Sequence, residues 1–275
     1  MDMVHLNVEF DNLLTNVANA VAVFRHIQRF VLDPFSIDRR FNLSIRLSGS
    51  LSLSLLGVYL GTEWKLENEE LSKLLSGLPL TPSSKSVQRV TWLQSLSILS
   101  GSGALKITPT TNLWKQDNFF AKSVTTRIPL SEEVLTCYFQ YIKTKGPTSP
   151  AAWDAIINLY GGVDSQINAF DSDFSAYPER NTLWVAQHYS YVPSNDTFPV
   201  EGLTFVSGLN EALTKYLPQY GACVNYVDAS LSLEEAHDLY YGKELYSRLK
   251  KIKDKLDPNN IFANPQSIGR GLATE

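Results

Sequence analysis

The chain has little of what builds most recognisable sites. Its 275 residues include two cysteines, two methionines and four histidines. Cys137 and Cys223 make no disulfide framework, and no C-x-x-C occurs. His5, His26 and His237 have no carboxylate or cysteine partner at ligand spacing, and H-E-x-x-H is absent, so no metal site is expected. No apolar run reaches the ~18 residues that a membrane-spanning helix needs. The first residues, MDMVHLNVEFDN, lack the basic and apolar regions of a signal peptide. Basic residues are not in excess: 24 Lys and Arg against 28 Asp and Glu give a net charge of -4. That gives no electrostatic reason to expect nucleic acid or an anionic membrane as partner. There is no G-x-S-x-G elbow. Gly101 and Gly103 make a Gly-Ser-Gly turn, without the G-x-G-x-x-G or the lysine of a phosphate loop.

What is present describes a folded domain. Hydrophobic residues make up 44% and charged residues 19%, which excludes a disordered chain. Val4–Phe10 alternates as a strand, and Asp11 is positioned to cap a helix running toward Asp33-Pro34. Leu43, Ile45 and Leu47, then Leu51, Leu53 and Leu55, alternate with polar residues around Ser48-Gly49-Ser50, a hairpin with one buried face. A helix is expected over Glu63–Leu75, and a short strand or helix within Val87–Leu99. Asn118–Ser123 reads as a strand and Ser131-Glu132-Glu133 as a helix start, closed by Gly146-Pro147. Strands Trp153–Tyr160 and Leu183–Ser190, helix Glu201–Leu217 and strand Ala222–Tyr226 follow. Alternating faces and hairpins argue for an α+β fold: an antiparallel sheet covered by helices on one face, ending in a C-terminal helix and extended tail. His188 alternates with Gln187 and belongs on the opposite side of the sheet.

The last fifty residues carry the most specific pattern. Leu245, Leu249, Ile252 and Leu256 form a helical stripe, with lysines 243, 250, 251, 253 and 255 mostly off it. Asp257-Pro258 ends that helix. Tyr241-Gly242, Arg248-Leu249, Ile252-Lys253, Asp257-Pro258, Asn260, Phe262 and Pro265-Gln266-Ser267-Ile268 together resemble the C-terminal pattern of the berberine-bridge-enzyme-like FAD-linked oxidases. Phe119-x-x-Lys122-Ser123, the Tyr160-Gly161-Gly162 turn and the Asn225-Tyr226 pair resemble further segments of the same family.

The resemblance implies roles. Tyr226 matches the tyrosine that takes the proton from the hydroxyl being oxidised in carbohydrate-oxidising members. Asn158 stands where those members have an assisting aspartate, and Cys223 where they have the first tyrosine of Y-x-N-Y. An asparagine orients a hydroxyl by hydrogen bonding but cannot tune a base by charge. Gln187, Tyr160 and Tyr189 are the implied substrate contacts, and Asn225, Asn264 and Gln266 the implied contacts to FAD. Trp153, Tyr160, Trp184, Tyr189 and Tyr226 suit an aromatic or polycyclic ligand, or are core. Residues 1–231 read as the substrate-binding domain and 232–275 as the family's C-terminal segment. No match to the family's flavin-wrapping portion occurs, which leaves three readings open. The chain is the substrate half of an FAD-linked oxidoreductase whose redox activity needs that portion as partner. Alternatively, it is a flavin-independent domain that binds a small molecule or catalyses cyclisation or dehydration, or it is a remnant.

Overall fold

In the computed structural model, residues 3–99, 117–171 and 174–269 are described. The Gly101–Gly103 turn lies outside them. Seven strands form one antiparallel sheet: β1 Met3–Phe10, β2 Phe41–Ser48, β3 Leu53–Tyr59, β4 Ser84–Val90, β5 Asp117–Thr126, β6 Ala152–Leu159 and β7 Trp184–Pro193, in the order β4-β1-β3-β2-β6-β7-β5. The expected hairpin is present, with Leu47 opposite Leu53 and Leu43 opposite Gly57. Because side chains alternate across a strand, this register puts Leu43, Ile45, Leu47, Leu53 and Leu55 on one face with Trp153, Ala155 and Ile157. All are buried.

Three helices close that face: α1 Val17–Leu32, α5 Glu132–Lys145 and α6 Val200–Thr214. Between α1 and α5 the chain also forms α2 Glu63–Lys65, a π turn over Leu66–Glu70, α3 Leu71–Leu75 and α4 Trp92–Leu99. Phe24, Ile27, Tyr138, Phe139, Ile142, Val206 and Leu209 enter the common core. Gln28 serves three groups at once. Its Nε2 donates to Leu130 O (3.0 Å), and its Oε1 accepts from Leu130 N (2.8 Å) and Trp184 Nε1 (3.1 Å). Those bonds join α1, the entry to α5 and strand β7 inside a region where unpaired polar atoms would cost ~1–3 kcal/mol each.

Three local expectations are corrected. Asp11 caps nothing: Leu13–Thr15 forms a 3-10 turn and Asn16 caps α1, its side chain accepting from Asn19 N. Val87–Leu99 divides into the end of β4 and helix α4, separated by Thr91. Ala222–Tyr226 is not a strand. Gly221 alone bridges Thr125, and the chain then turns, with Tyr226 N donating to Cys223 O (2.9 Å). Pairing stops there because Cys223 N turns to the Ser123 hydroxyl instead of a strand carbonyl. The end of the chain adds α7 Leu233–Tyr240, opened by a capping box of Ser232 and Glu235, and α8 Gly242–Leu256. Among the described residues no helix is long and apolar enough to cross a membrane.

Two outcomes follow from this packing. Along the α8 stripe only Leu245 is buried, while Ile252, Leu256, Ile261 and Phe262 are exposed, the last by 77%. A contiguous apolar surface of that kind drives association. Light scattering of the purified chain should show self-association that Leu256→Lys with Phe262→Lys reduces; a freely soluble monomer at high concentration would refute it. His188, fully buried, meets the Tyr138 hydroxyl at 3.0 Å and Asn210 Oδ1 at 3.2 Å. Burial lowers its pKa to about 4, against smaller opposing help from Asn210. The unfolded chain therefore binds the proton more readily between pH ~6.5 and ~4, so stability is lost as pH falls through that window. Urea midpoints should drop across it by an amount equivalent to ~3 kcal/mol, and His188→Gln should flatten the slope.

Candidate active site

The face of the sheet away from α1, α5 and α6 is polar and aromatic where strands β2, β6, β7 and β5 run side by side. Pairing aligns its side chains in rungs. Ser44, Asn158, Val185 and Thr125 share one; Arg46, Ile156, Gln187 and Ser123 the next; Ser48, Asp154, Tyr189 and Ala121 the third; Ala152, Tyr191 and Phe119 the last. Asn158, Gln187 and Tyr189 thus occupy one face as expected, and His188 the other. Trp153 and Trp184 are core residues and contribute nothing to this face.

At the end beyond Asn158 the chain makes its Tyr160-Gly161-Gly162 turn. Tyr160 N and Gly161 N both donate to Leu183 O, at 2.9 and 3.2 Å. A Cβ on Gly161 would stand 2.0 Å from Thr182 O, so the turn tolerates no side chain there. Ser44 Oγ donates to Asn158 Oδ1 (2.9 Å), which leaves the Asn158 amide NH2 as a donor.

The turn carrying Asn225 and Tyr226 lies along the free edge of β5, gripped by two consecutive residues of that strand. Ser123 Oγ accepts from Cys223 N (2.9 Å). Lys122 reaches the Asp228 carboxylate and Ser230 Oγ (2.8 Å), and Lys122 and Asp228 are both buried. Asp228 also receives Ser230 N and Oγ, and its own N–H donates to Tyr240 Oη (2.9 Å). Lys122, Ser123 and Asp228 were not singled out as site residues from the sequence. The signal was present in Phe119-x-x-Lys122-Ser123 and in an aspartate two residues after Asn225-Tyr226.

In this arrangement the Tyr160 phenol feels Tyr226 and Cys223, the Tyr226 phenol feels Cys223, and the Tyr177 phenol feels Cys223 and Tyr160. Burial, followed by neighbouring ionisable groups, pushes the Tyr160 and Tyr226 phenols above their ordinary range. Among the described residues the Tyr226, Asn225 and Gln187 side chains have no hydrogen-bond partner. Asn225 is exposed, and Tyr226 and Gln187 half-buried. Gln266 is engaged inside the protein: Nε2 donates to Asp228 O (2.7 Å) and Leu231 O (3.2 Å), and Oε1 accepts from Tyr240 Oη (3.3 Å). Asn264 Oδ1 accepts from Gln266 N (2.9 Å). Both line a cleft of about 330 Å³ beside Val227, Tyr241 and Phe262.

Phenols and carboxamides suit the edge of a flat heterocycle and a substrate hydroxyl. They fit the ring system of a flavin. For its diphosphate the cleft has Lys253, which is engaged by Asp257 and the Phe262 carbonyl, so the fit extends to the ring system only.

Residues 222–269 match the family described as berberine and berberine like. The carbohydrate oxidase of Microdochium nivale is 29% identical over 236 residues, 84% of this chain and 46% of that protein. The chitooligosaccharide oxidase of Gibberella zeae is 28% identical over 218 residues, 77% of this chain and 42% of that protein. The structure of the xylooligosaccharide oxidase from Myceliophthora thermophila C1 in complex with xylobiose superposes with a TM-score of 0.86 at 25% identity, covering 98% of this chain and 56% of that one. The chain therefore spans about half the length of the relatives it matches. Over residues 222–269 it carries the pattern of that family, and over most of its length it is similar to FAD-linked oxidases.

Removing the lysine tests the grip on Tyr226. Lys122→Ala leaves the Asp228 carboxylate buried without its cation, which should cost about 3 kcal/mol. Hydrogen exchange should accelerate first over residues 222–231. Unchanged protection there would show that the ion pair does not hold the turn.

Proposed function

We propose that this chain forms the substrate-facing half of an FAD-linked oxidase acting on a hydroxyl of a carbohydrate or related alcohol. The observation that supports it is the unpartnered phenol of Tyr226, coupled to Tyr160 at the end of a face that also presents Asn158 and Gln187. Oxidising an alcohol requires that the hydroxyl proton and a hydride leave together. A bound flavin supplies the hydride acceptor. Tyr226 takes the proton, while the Asn158 amide and Gln187 hold the hydroxyls of the substrate in place. Asn225, next to Tyr226 in the turn, contacts the ring system, and Asn264 and Gln266 keep the tail against the same turn.

The direction of the Tyr226 shift has a consequence for this chemistry. A phenol raised above its usual range is a poor acid, so most molecules at neutral pH carry it protonated. A positive charge or strong hydrogen bond must lower it before it serves as base. In this proposal that group arrives with the flavin-binding portion of the protein, which is the partner the redox step requires. The relatives' names point to oligosaccharides as the substrate class, and the open polar face accommodates such a chain.

The test begins with a visible spectrum of the purified chain, taken after excess FAD and gel filtration. Little flavin should remain, because the cation lining the cleft, Lys253, is already engaged by Asp257 and the Phe262 carbonyl. Joined to the flavin-binding portion of one of the matched oxidases, the chain should hold flavin that an oligosaccharide bleaches without oxygen. Tyr226→Phe should slow bleaching by about 100-fold at unchanged flavin content. Bleaching of the variant at the unsubstituted rate would remove Tyr226 as base. Failure of any sugar to bleach a flavin-loaded preparation would remove the oxidase reading.

A further inference from the structure

The turn that carries Asn225 and Tyr226 has little of its own to hold it. Between Cys223 and Asp228 one backbone bond closes inside it, Tyr226 N to Cys223 O, and the Asn225 and Tyr226 side chains have no hydrogen-bond partner among the described residues. Their position is set at the two ends of the turn. Ser123 fixes the first end through Cys223 N, and Lys122 takes the Asp228 carboxylate at the second. The backbone of that second end is held by a different pair, Tyr240 and Gln266. Tyr240 Oη accepts from Asp228 N (2.9 Å) and donates to Gln266 Oε1 (3.3 Å). Gln266 Nε2 donates to Asp228 O (2.7 Å) and Leu231 O (3.2 Å), so one carboxamide ties both ends of the Asp228–Leu231 turn. Gln266 is itself fixed from both sides. Its N–H donates to Asn264 Oδ1 (2.9 Å), and the carbonyl of the next residue, Ser267, accepts from His237 Nε2 (3.0 Å). His237 is buried and stacks on Tyr246 with ring centroids 4.1 Å apart, and Tyr246 Oη accepts from Gly269 N (3.2 Å).

We infer that Gln266, together with Tyr240, is a positioning residue for Tyr226 and makes no contact with the cofactor. The inference rests on the oxidase reading above, and it replaces the role that the motif around Gln266 implies. Three features carry it. Although Gln266 lines the cleft beside Phe262, both amide hydrogens go to carbonyls of the protein and its oxygen to a protein hydroxyl, so no N–H is left for a flavin ring. Its partners are backbone carbonyls and, through Tyr240, a backbone N–H. A side-chain partner could swing to follow Gln266; these cannot move without moving the turn. The two residues also act as a unit, because the proton that Tyr240 gives to Gln266 leaves the lone pairs of its buried oxygen for Asp228 N. Tyr226 is two residues from Asp228, and it has no bond of its own by which to resist a shift of that end.

The experiment replaces Tyr226 by 3-fluorotyrosine in the full chain and reads its fluorine resonance. The chain should give one narrow line. Gln266→Met, which keeps bulk but loses the hydrogen bonds, and Tyr240→Phe should each broaden or split it. Val8→Ala, a core truncation at the other end of the sheet, should lower the melting temperature and leave the line narrow, which separates positioning from general destabilisation. In the chain joined to a flavin-binding portion, Gln266→Met should slow bleaching by about tenfold at saturating sugar, within the ~100-fold that a small misplacement of a reacting group costs. Flavin content and the half-saturating sugar concentration should stay unchanged. A single narrow line in both variants would overturn the inference, as would a Val8→Ala line that broadens equally. Loss of flavin from Gln266→Met with the line unchanged would overturn it too, as the signature of a cofactor contact. The fluorine line needs neither flavin nor sugar, so it decides the role of Gln266 even where no sugar bleaches the flavin and the oxidase reading falls.

Discussion

The site depends on one buried ion pair, Lys122 with Asp228. The strand that supplies Lys122 is an edge strand, and past Gly221 the chain has no further ladder bonds to hold it there. A salt bridge at the surface would add little. This one is buried, and its carboxylate also accepts the N–H and hydroxyl of Ser230, so its charges are largely withdrawn from solvent. From Asp228 the bonding continues through the Tyr240 hydroxyl to Gln266 and back to the Asp228 and Leu231 carbonyls. Edge strand, Tyr226 turn, α7 and tail are thereby one connected unit. Lys122, Ser123 and Gln266, far apart in sequence, hold the same turn.

The second constraint is that one sheet serves two masters. Burying Leu43, Ile45, Leu47, Trp184 and Ala186 under three helices fixes the register of every strand, since a slip of one residue would turn those side chains to solvent. The opposite face inherits that register without contributing to the core. It is therefore able to carry residues chosen for contact, phenols and carboxamides among them. Rigidity of the core becomes positional accuracy of the face, because both are the same backbone.

The tyrosine cluster shows how electrostatics divides the chemistry. Burial raises the Tyr160 and Tyr226 phenols, and no nearby cation offsets it. Asn158 carries no charge, and Ser44 orients its amide. On the outside, Ile252 and Leu256 of α8 stay exposed together with Ile261 and Phe262.

Period-two alternation in the Leu43–Leu55 hairpin, helical spacing around α1 and α5, and the motif string from Tyr241 to Ile268 were enough to determine an antiparallel α+β fold, its buried face and the family it resembles. Those features are local, so they are legible one segment at a time. Even the opposite orientations of Gln187 and His188 follow from adjacency alone. What no local pattern contained was the end of pairing at Gly221. Cys223–Tyr226 alternates like a strand, and only the Ser123 hydroxyl, a hundred residues away, takes the amide that a neighbouring strand would have taken. The Lys122–Asp228 pair arises in the same way, from segments distant in sequence and adjacent in space. Sequence determined which residues face out; the tertiary pairing decided which of them meet.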